Sequence, residues 1–268
     1  MVNIEDMNKV KTNPSRILKS MKYLIVSLCL SFAATAAVHA QDPILKDAFA
    51  DVASDTPLTG HEPEVGAGTW KAGNTVKISR DGDVAYVTNG DESSATAEVA
   101  MTADAAEAGF TIRTKVRSAS RPPDDNGSWT ILMVKNDASG SLFEPGTEYL
   151  GIMFLTSKSG LYGYSVISTP KDRNDLSLTI QLKLHGAGAA QSWKEDDFND
   201  VVFSYDPANH SVSLSVNGTE IWTNEALQFP EQLPTAGLNR FQIAWNGARD
   251  EADRTAGRIG PVTVTPLR

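Results

Sequence analysis

Between Asn199 and Trp222 the chain alternates more cleanly than anywhere else along its length. Val212, Leu214 and Val216 point one way, and Ser211, Ser213 and Ser215 the other. That is the period-2 pattern of a strand with one buried and one wet face. Asn217-Gly218 follows at once, and both central residues of a type I′ hairpin turn need φ > 0, which asparagine and glycine tolerate best. The stretch predicts three short strands joined by two turns, the first turn being Asp206-Pro-Ala-Asn. A chain that commits this much sequence to tight hairpins is building antiparallel sheet.

The remaining chain carries the same signals. Short strands are predicted near Val76–Ser79, Val84–Thr88, Thr96–Met101, Gly109–Arg117, Trp129–Lys135, Tyr149–Thr156 and Leu161–Ser168. Further strands are predicted near Leu176–His185, Val201–Tyr205, Ser211–Val216, Thr219–Thr223, Leu238–Trp245 and Arg258–Thr265. Turn residues separate them at Asp81-Gly-Asp, Asn89-Gly-Asp, Pro122-Pro-Asp-Asp-Asn-Gly, Asn136-Asp-Ala-Ser-Gly and Lys158-Ser-Gly. Gln41 to Gly73 is irregular, with Phe49, Leu58, Val65 and Trp70 as isolated anchors. Only Ala103–Ala108 suits a helical turn, and no fixed-period repeat runs through the chain.

Two kinds of strand are present. Phe110, Ile112 and Val116 alternate with Thr111, Arg113, Lys115 and Arg117, as Leu178, Ile180, Leu182 and Leu184 do with Thr179, Gln181, Lys183 and His185. Trp129–Val134 and Leu150–Phe154 are instead nearly continuous apolar runs, which suit strands covered on both faces. An all-β fold, a two-sheet antiparallel β-sandwich of about a dozen strands, accommodates both.

The N-terminus reads as a targeting segment. Lys19 and Lys22 flank Met21, Tyr23–Val38 is apolar, and Val38-His39-Ala40 gives a small-x-small cleavage pattern before Gln41. Residues 1–40 are therefore expected to be a signal peptide with an extended n-region, and 41–268 a single β domain exported to the periplasm, cell surface or exterior. The apolar run is too short for a membrane span, and no transmembrane segment is expected in the mature chain. Cys29 is poorly placed for lipidation, because bulky Leu28 precedes it.

Charge and cysteine usage then exclude whole classes of function. Beyond residue 40 the chain keeps 19 basic residues against 31 acidic ones, a net of −12. Such a surface disfavours nucleic acid and anionic membranes as partners. Cys29 is the only cysteine, so the mature chain has no disulfide, thiol nucleophile or cysteine-ligated metal.

With those motifs in hand, the run Phe198–Trp222 resembles the late hairpins of concanavalin A-like lectin/glucanase domains, in particular the laminin-G-like branch. There a strand ending in Tyr-Asp leads to one ending in Val-Asp/Asn-Gly. Gly257-Arg-Ile-Gly-Pro-Val-Thr-Val is similar to that branch's final strand, with Gly260 standing where aspartate is usual. The opening from Asp47-Ala-Phe to Trp70 is similar to the lead-in of secreted bacterial domains of this kind. The resemblance implies a jelly roll and carbohydrate or another cell-envelope ligand as partner. It also allows a calcium ion, with Asp47 as candidate ligand.

Enzymes in that superfamily carry Glu-x-Asp-x-x-Glu on one strand, since one carboxyl must donate a proton while another attacks or stabilises. The nearest match is Glu195-Asp196-Asp197-Phe198-Asn199-Asp200. Strict alternation places Glu195 and Asp197 on one face and Asp200 on the other, so joint action needs a bulge, and a solvated acidic loop explains the run more simply. His61, His185 and His210 lack metal-ligand spacing, there is no Gly-x-Ser-x-Gly, and Gly186-Ala-Gly188 lacks the third glycine of a dinucleotide loop.

Two binding clues remain. Counting back from the Asn217-Gly218 turn pairs Leu214 with Ile221 and Ser213 with Trp222. That count sets Trp222 on the polar face as a flat apolar platform, unless a loop or the other sheet covers it. The second clue is the basic row Arg113, Lys115 and Arg117, which suits an anionic glycan or cross-strand acids such as Glu98. The favoured reading is an exported, non-catalytic carbohydrate- or envelope-ligand-binding sandwich. Its alternatives are a glycan-cleaving enzyme using Glu195, Asp197 and Asp200, and a structural or adhesion module with a protein partner.

Overall fold

Alternating residues and tight turns do assemble two antiparallel sheets. The structure, a computed structural model, describes residues 41–50, 52–79, 84–86, 94–117, 128–138, 146–157, 160–168, 180–185, 192–194, 197–228, 230, 233–246 and 257–267. The expected targeting segment 1–40, Glu195, the turns at Asp81, Asn89, Pro122 and Lys158, Gly186-Ala-Gly188 and the stretch Leu176–Thr179 lie outside the described residues.

Three short strands occupy the N-terminal stretch: β1 (Leu45–Asp47), β2 (Thr56–Pro57) and β3 (Lys71–Ala72). Then come β4 (Val76–Ile78), β5 (Val84–Tyr86), β6 (Ser94–Ala100), the single-turn α1 (Ala105–Ala108) and β7 (Phe110–Arg117). The middle holds β8 (Ser128–Lys135), β9 (Tyr149–Ser157), β10 (Gly160–Ser168) and β11 (Ile180–His185). The C-terminal part is β12 (Asn199–Asp206), β13 (Ser211–Val216), β14 (Thr219–Ala226), β15 (Arg240–Asn246), β16 (Arg258–Ile259) and β17 (Val262–Pro266).

One sheet runs β14-β13-β12-β7-β16-β5-β4-β2, with β17 beside both β7 and β1; the other runs β11-β10-β9-β8-β15-β6-β3. Phe110, Ile112 and Val116 of β7, Val201, Phe203 and Tyr205 of β12, and Val212, Leu214 and Val216 of β13 are buried. They share one cluster with Leu132, Leu150, Ile152, Phe154, Phe241, Ile243 and Trp245 of the second sheet. This is the sandwich core, and each large side chain in it contributes roughly 1.5–3 kcal/mol.

The hairpin turn is as expected, with Asn217 at φ 51 and Gly218 at φ 77. Val216 faces Thr219 and Ser215 faces Glu220, and there the simple count ends. The register shifts so that Leu214, not Ser213, faces Trp222. Ile221 is the extra residue of a bulge that turns Trp222 to the other face, and a second register shift follows between Leu214 and Val212.

The predicted final strand is split in two. Gly260 interrupts it by donating its N–H to the Lys115 carbonyl (2.7 Å), while Thr114 Oγ1 donates to the Gly260 carbonyl (3.2 Å). A Cβ at Gly260 would sit 3.0 Å from the Lys115 Cβ, a tight contact that glycine's missing side chain avoids. Asp104 caps α1 through Ala106 N–H (2.8 Å) and also accepts from Leu238 N–H (3.0 Å), binding the helical turn to the lead-in of β15.

Candidate functional site

The basic row stands on β7 and faces solvent from the ten-stranded sheet. Arg113 and Lys115 are exposed and Arg117 is half-buried. Lys115 Nζ lies 3.9 Å from Asp200 Oδ1 across the β7–β12 pair, and the Arg117 guanidinium lies 5.9 Å from the Phe198 ring centroid. Arg113 is opposite the uncharged Val202 and Thr263. Glu98, expected to oppose this row, belongs to the other sheet, because β6 pairs with β15 and β3.

Trp222 does not join that row. The bulge at Ile221 turns its indole into the core, where it is 3 % exposed and meets Tyr164 edge-on at 6.4 Å. The expected wet-face platform is therefore absent, since the other sheet covers this tryptophan. Its Nε1 has no hydrogen-bond partner.

The acidic run does not converge either. Asp197 and Asp200 are both exposed, and Asp200 is engaged by Lys115. The Phe198 N–H, donating to Asp197 at 2.8 Å, holds that carboxyl below its ordinary range, with help from Lys194. A proton donor near neutral pH needs the opposite shift.

Asp47 is 2 % exposed and occupied by protein groups. Its carboxylate accepts from Trp70 Nε1 (2.7 Å) and Phe49 N–H (2.8 Å), with His61 Nε2 at 3.1 Å. Phe49 and Trp70 pack together at 5.9 Å, so Asp47, bonded to three protein groups, fastens the N-terminal stretch to the core. Among the described residues no three His, Cys, Asp or Glu side chains are grouped to hold a metal ion.

The face that sequence reasoning passed over is the outer face of the seven-stranded sheet. Leu132 and Val134 of β8 point into the core, so Trp129, Ile131, Met133 and Lys135 point away from it. Cross-strand register brings Glu98, Gln242, Met133, Gly151 and Ile167 into one row, and Thr96, Ala244, Ile131, Met153 and Ser165 into the next. Ile131, Met133, Tyr149, Ile167 and Ala244 form a second buried apolar cluster, with Trp129 and Met153 half-buried at its margin. A Cβ on Gly151 would fall 2.3 Å from the Leu132 carbonyl oxygen, which is why the middle of this face has a bare backbone.

Polar groups are set into the apolar surface. Gln242 (4 % exposed) and Ser165 (0 %) are buried, and neither Gln242 Oε1 nor Ser165 Oγ has a hydrogen-bond partner. Lys135, 1 % exposed, donates from Nζ to Glu98 Oε2 (2.9 Å) and to the Ala138 carbonyl (2.8 Å). Arg240 donates to Asp137 and lies 3.7 Å from Glu98. The one advance signal was the pair of apolar runs Trp129–Val134 and Leu150–Phe154. They marked strands covered on both sides, and the structure shows both faces buried.

No family profile matches the chain, and no curated protein matches it. Solved structures do. The Emp46p carbohydrate recognition domain, in its potassium-bound form, superposes with a TM-score of 0.50 at 14% identity over 73% of this chain and 88% of its own. The Emp47p carbohydrate recognition domain gives 0.50 at 13% identity over 84% and 98%. Alginate lyase Aly36B, in complex with an alginate trisaccharide, gives 0.53 at 11% identity over 85% and 100%. The fold is concanavalin A-like. At these identities the likeness concerns architecture alone. Among the described residues, a second set of buried apolar groups outside the sandwich core, with the unsatisfied Gln242 Oε1 and Ser165 Oγ, lies on the outer face of the seven-stranded sheet. No described helix is long and apolar enough to cross a membrane.

Proposed function

We propose that this is an exported carbohydrate-binding protein that holds its ligand, without cleaving it, at the margin of the outer face of the seven-stranded sheet, where Trp129 and Met153 are half-buried. The observation that carries the proposal is half-buried Trp129 and Met153 at the margin of the second apolar cluster, with Gln242 Oε1 and Ser165 Oγ buried on the same face without hydrogen-bond partners. Sugar rings offer apolar C–H faces to an indole or thioether and hydroxyls to an amide or serine, which is the mixture assembled here. Structural neighbours that recognise or act on carbohydrates support the reading. The exposed positions of Asp197 and Asp200 favour binding over hydrolysis by that acidic run. Residues 19–40 support export, and the closing Gly257–Val264 motif supports the laminin-G-like branch as the finer affiliation.

Affinity electrophoresis of the purified protein against a panel of soluble polysaccharides tests this reading. At least one should retard it without releasing shorter products, and Trp129→Ala should weaken that binding roughly tenfold, about 1.4 kcal/mol. The double change Arg113→Glu, Lys115→Glu should leave it intact. Retardation by none of the panel, or a loss confined to the Arg113/Lys115 variant, counts against the site.

A further inference from the structure

We infer that the solvent face of the ten-stranded sheet, centred on Arg113 and Lys115, is a second binding surface, and that its ligand is an acidic polysaccharide.

Acids outnumber bases by 31 to 19 beyond residue 40, yet this sheet reverses the balance. The adjoining strands β7, β16, β17, β5 and β4 hold Arg113, Lys115, Arg117, Arg258 and Lys77, and not one Asp or Glu. A chain with that many carboxylates can set one beside each cation, and cross-strand pairs of opposite charge are stabilising. The two positions opposite Arg113 are only half-buried and would admit such a residue; Val202 and Thr263 occupy them instead. Among the described residues no carboxylate lies within ion-pair distance of Arg113. Lys115 has Asp200 at 3.9 Å, with the two side chains 57% and 67% exposed. An ion pair so open to water is weak, and a ligand anion can replace its carboxylate.

The surroundings favour a sugar polymer. Half-buried Thr263, Thr265, Ser204 and Ser215 surround the Arg113 end on neighbouring strands and offer hydroxyls to a ligand that is itself rich in them. Arg113 and Lys115 stand two residues apart, about 7 Å along β7, so they meet successive groups of an extended chain. A guanidinium donates two parallel hydrogen bonds to a carboxylate or sulfate. Val202 and Thr263 beside it give a nucleobase no aromatic ring to stack on. The acidic remainder of the molecule repels any polyanion, but salt screens that repulsion within about 8–10 Å, so contact is decided locally.

Biolayer interferometry of the purified protein on immobilised polygalacturonate, dextran sulfate and neutral dextran tests this assignment. At least one acidic polymer should bind, polygalacturonate marking a carboxylated ligand and dextran sulfate a sulfated one. That binding should weaken roughly fivefold or more between about 50 and 200 mM salt, as about two released counterions imply. Arg113→Glu should reduce it roughly tenfold, whereas Asp200→Asn, which removes the carboxylate beside Lys115, should strengthen it about threefold. Both positions are exposed, so both variants should keep the parent's thermal midpoint. Trp129→Ala should leave the acidic polymers bound. Binding to neither acidic polymer, equal binding to dextran, or tighter binding of single-stranded DNA overturns the inference. So do Arg113→Glu and Asp200→Asn variants that both bind like the parent, or a Trp129→Ala variant of unchanged thermal midpoint that loses the acidic polymers. Acidic-polymer binding that Arg113→Glu alone abolishes, with no neutral polysaccharide bound, upholds this surface and removes the site at Trp129.

Discussion

Asn199 and Asn217 show how much a single amide can hold. Asn199 is fully buried; its Oδ1 accepts from Lys194 N–H (2.7 Å) and Asn217 Nδ2 (2.9 Å), and its Nδ2 donates to the Lys194 carbonyl (2.8 Å). Asn217 takes the left-handed turn conformation, donates to the Ser192 carbonyl (2.5 Å) and accepts from Asp200 N–H (3.0 Å). The two roles separate by mutation. Asn217→Gly keeps the turn and loses the side-chain bonds, for an expected loss of about 1 kcal/mol. Asn199→Ala orphans several buried groups and should cost about 2–4 kcal/mol, measured by urea unfolding with an unchanged m-value. Equal losses would mean that the bonds of Asn217 matter as much as the buried amide of Asn199. Asn217 was legible as a turn residue because Asn-Gly is a local signal. Its hold on Ser192 was not, since that partner lies 25 residues away and only the folded chain brings it close.

At the scale of elements, the β13–β14 hairpin carried the clearest pattern and the largest misplacement. Turn, strands and pairing partners follow the sequence, while the bulge at Ile221 does not and reverses Trp222. A bulge on an edge strand also interrupts its flat ladder of free backbone groups, which discourages pairing with another chain. Trp222 is the one buried residue of β14, so it pins that edge to the core. Trp222→Ala should destabilise the protein by about 3–5 kcal/mol, while Trp222→Phe should keep most of that stability and all carbohydrate binding. Loss of binding with stability intact in the phenylalanine variant would return Trp222 to the ligand site. On β8 and β9 the apolar runs announced that both faces are covered. They did not announce Gln242 or Ser165, which occur singly on other strands and become neighbours of those runs through register alone.

Across the whole molecule, a core that accepts tyrosine is committed to keeping the phenol neutral. Burial, aided by Asp206, raises Tyr205 from its ordinary 10.0 to about 12. Its folded value lies above its unfolded one, so the associated stability is whole below pH 10 and is lost as pH rises toward 12. Denaturant unfolding in steps across that window should show stability falling, and Tyr205→Phe should flatten the fall; an unchanged slope in the variant would place the alkaline sensitivity elsewhere. The sequence by itself determined the strand pattern, the two-layer antiparallel class, the hairpin turn and the acidic balance, because period, turn chemistry and charge are local properties. Only tertiary structure decided which carboxylates are spent, that Asp47 binds Trp70, and that Trp222 faces inward. The physical reason is register: a bulge of one residue exchanges the two faces of a strand, and cross-strand neighbours lie far apart along the chain. The face bearing Met133, Gln242 and Ser165 exists only once four strands, β15, β8, β9 and β10, have paired.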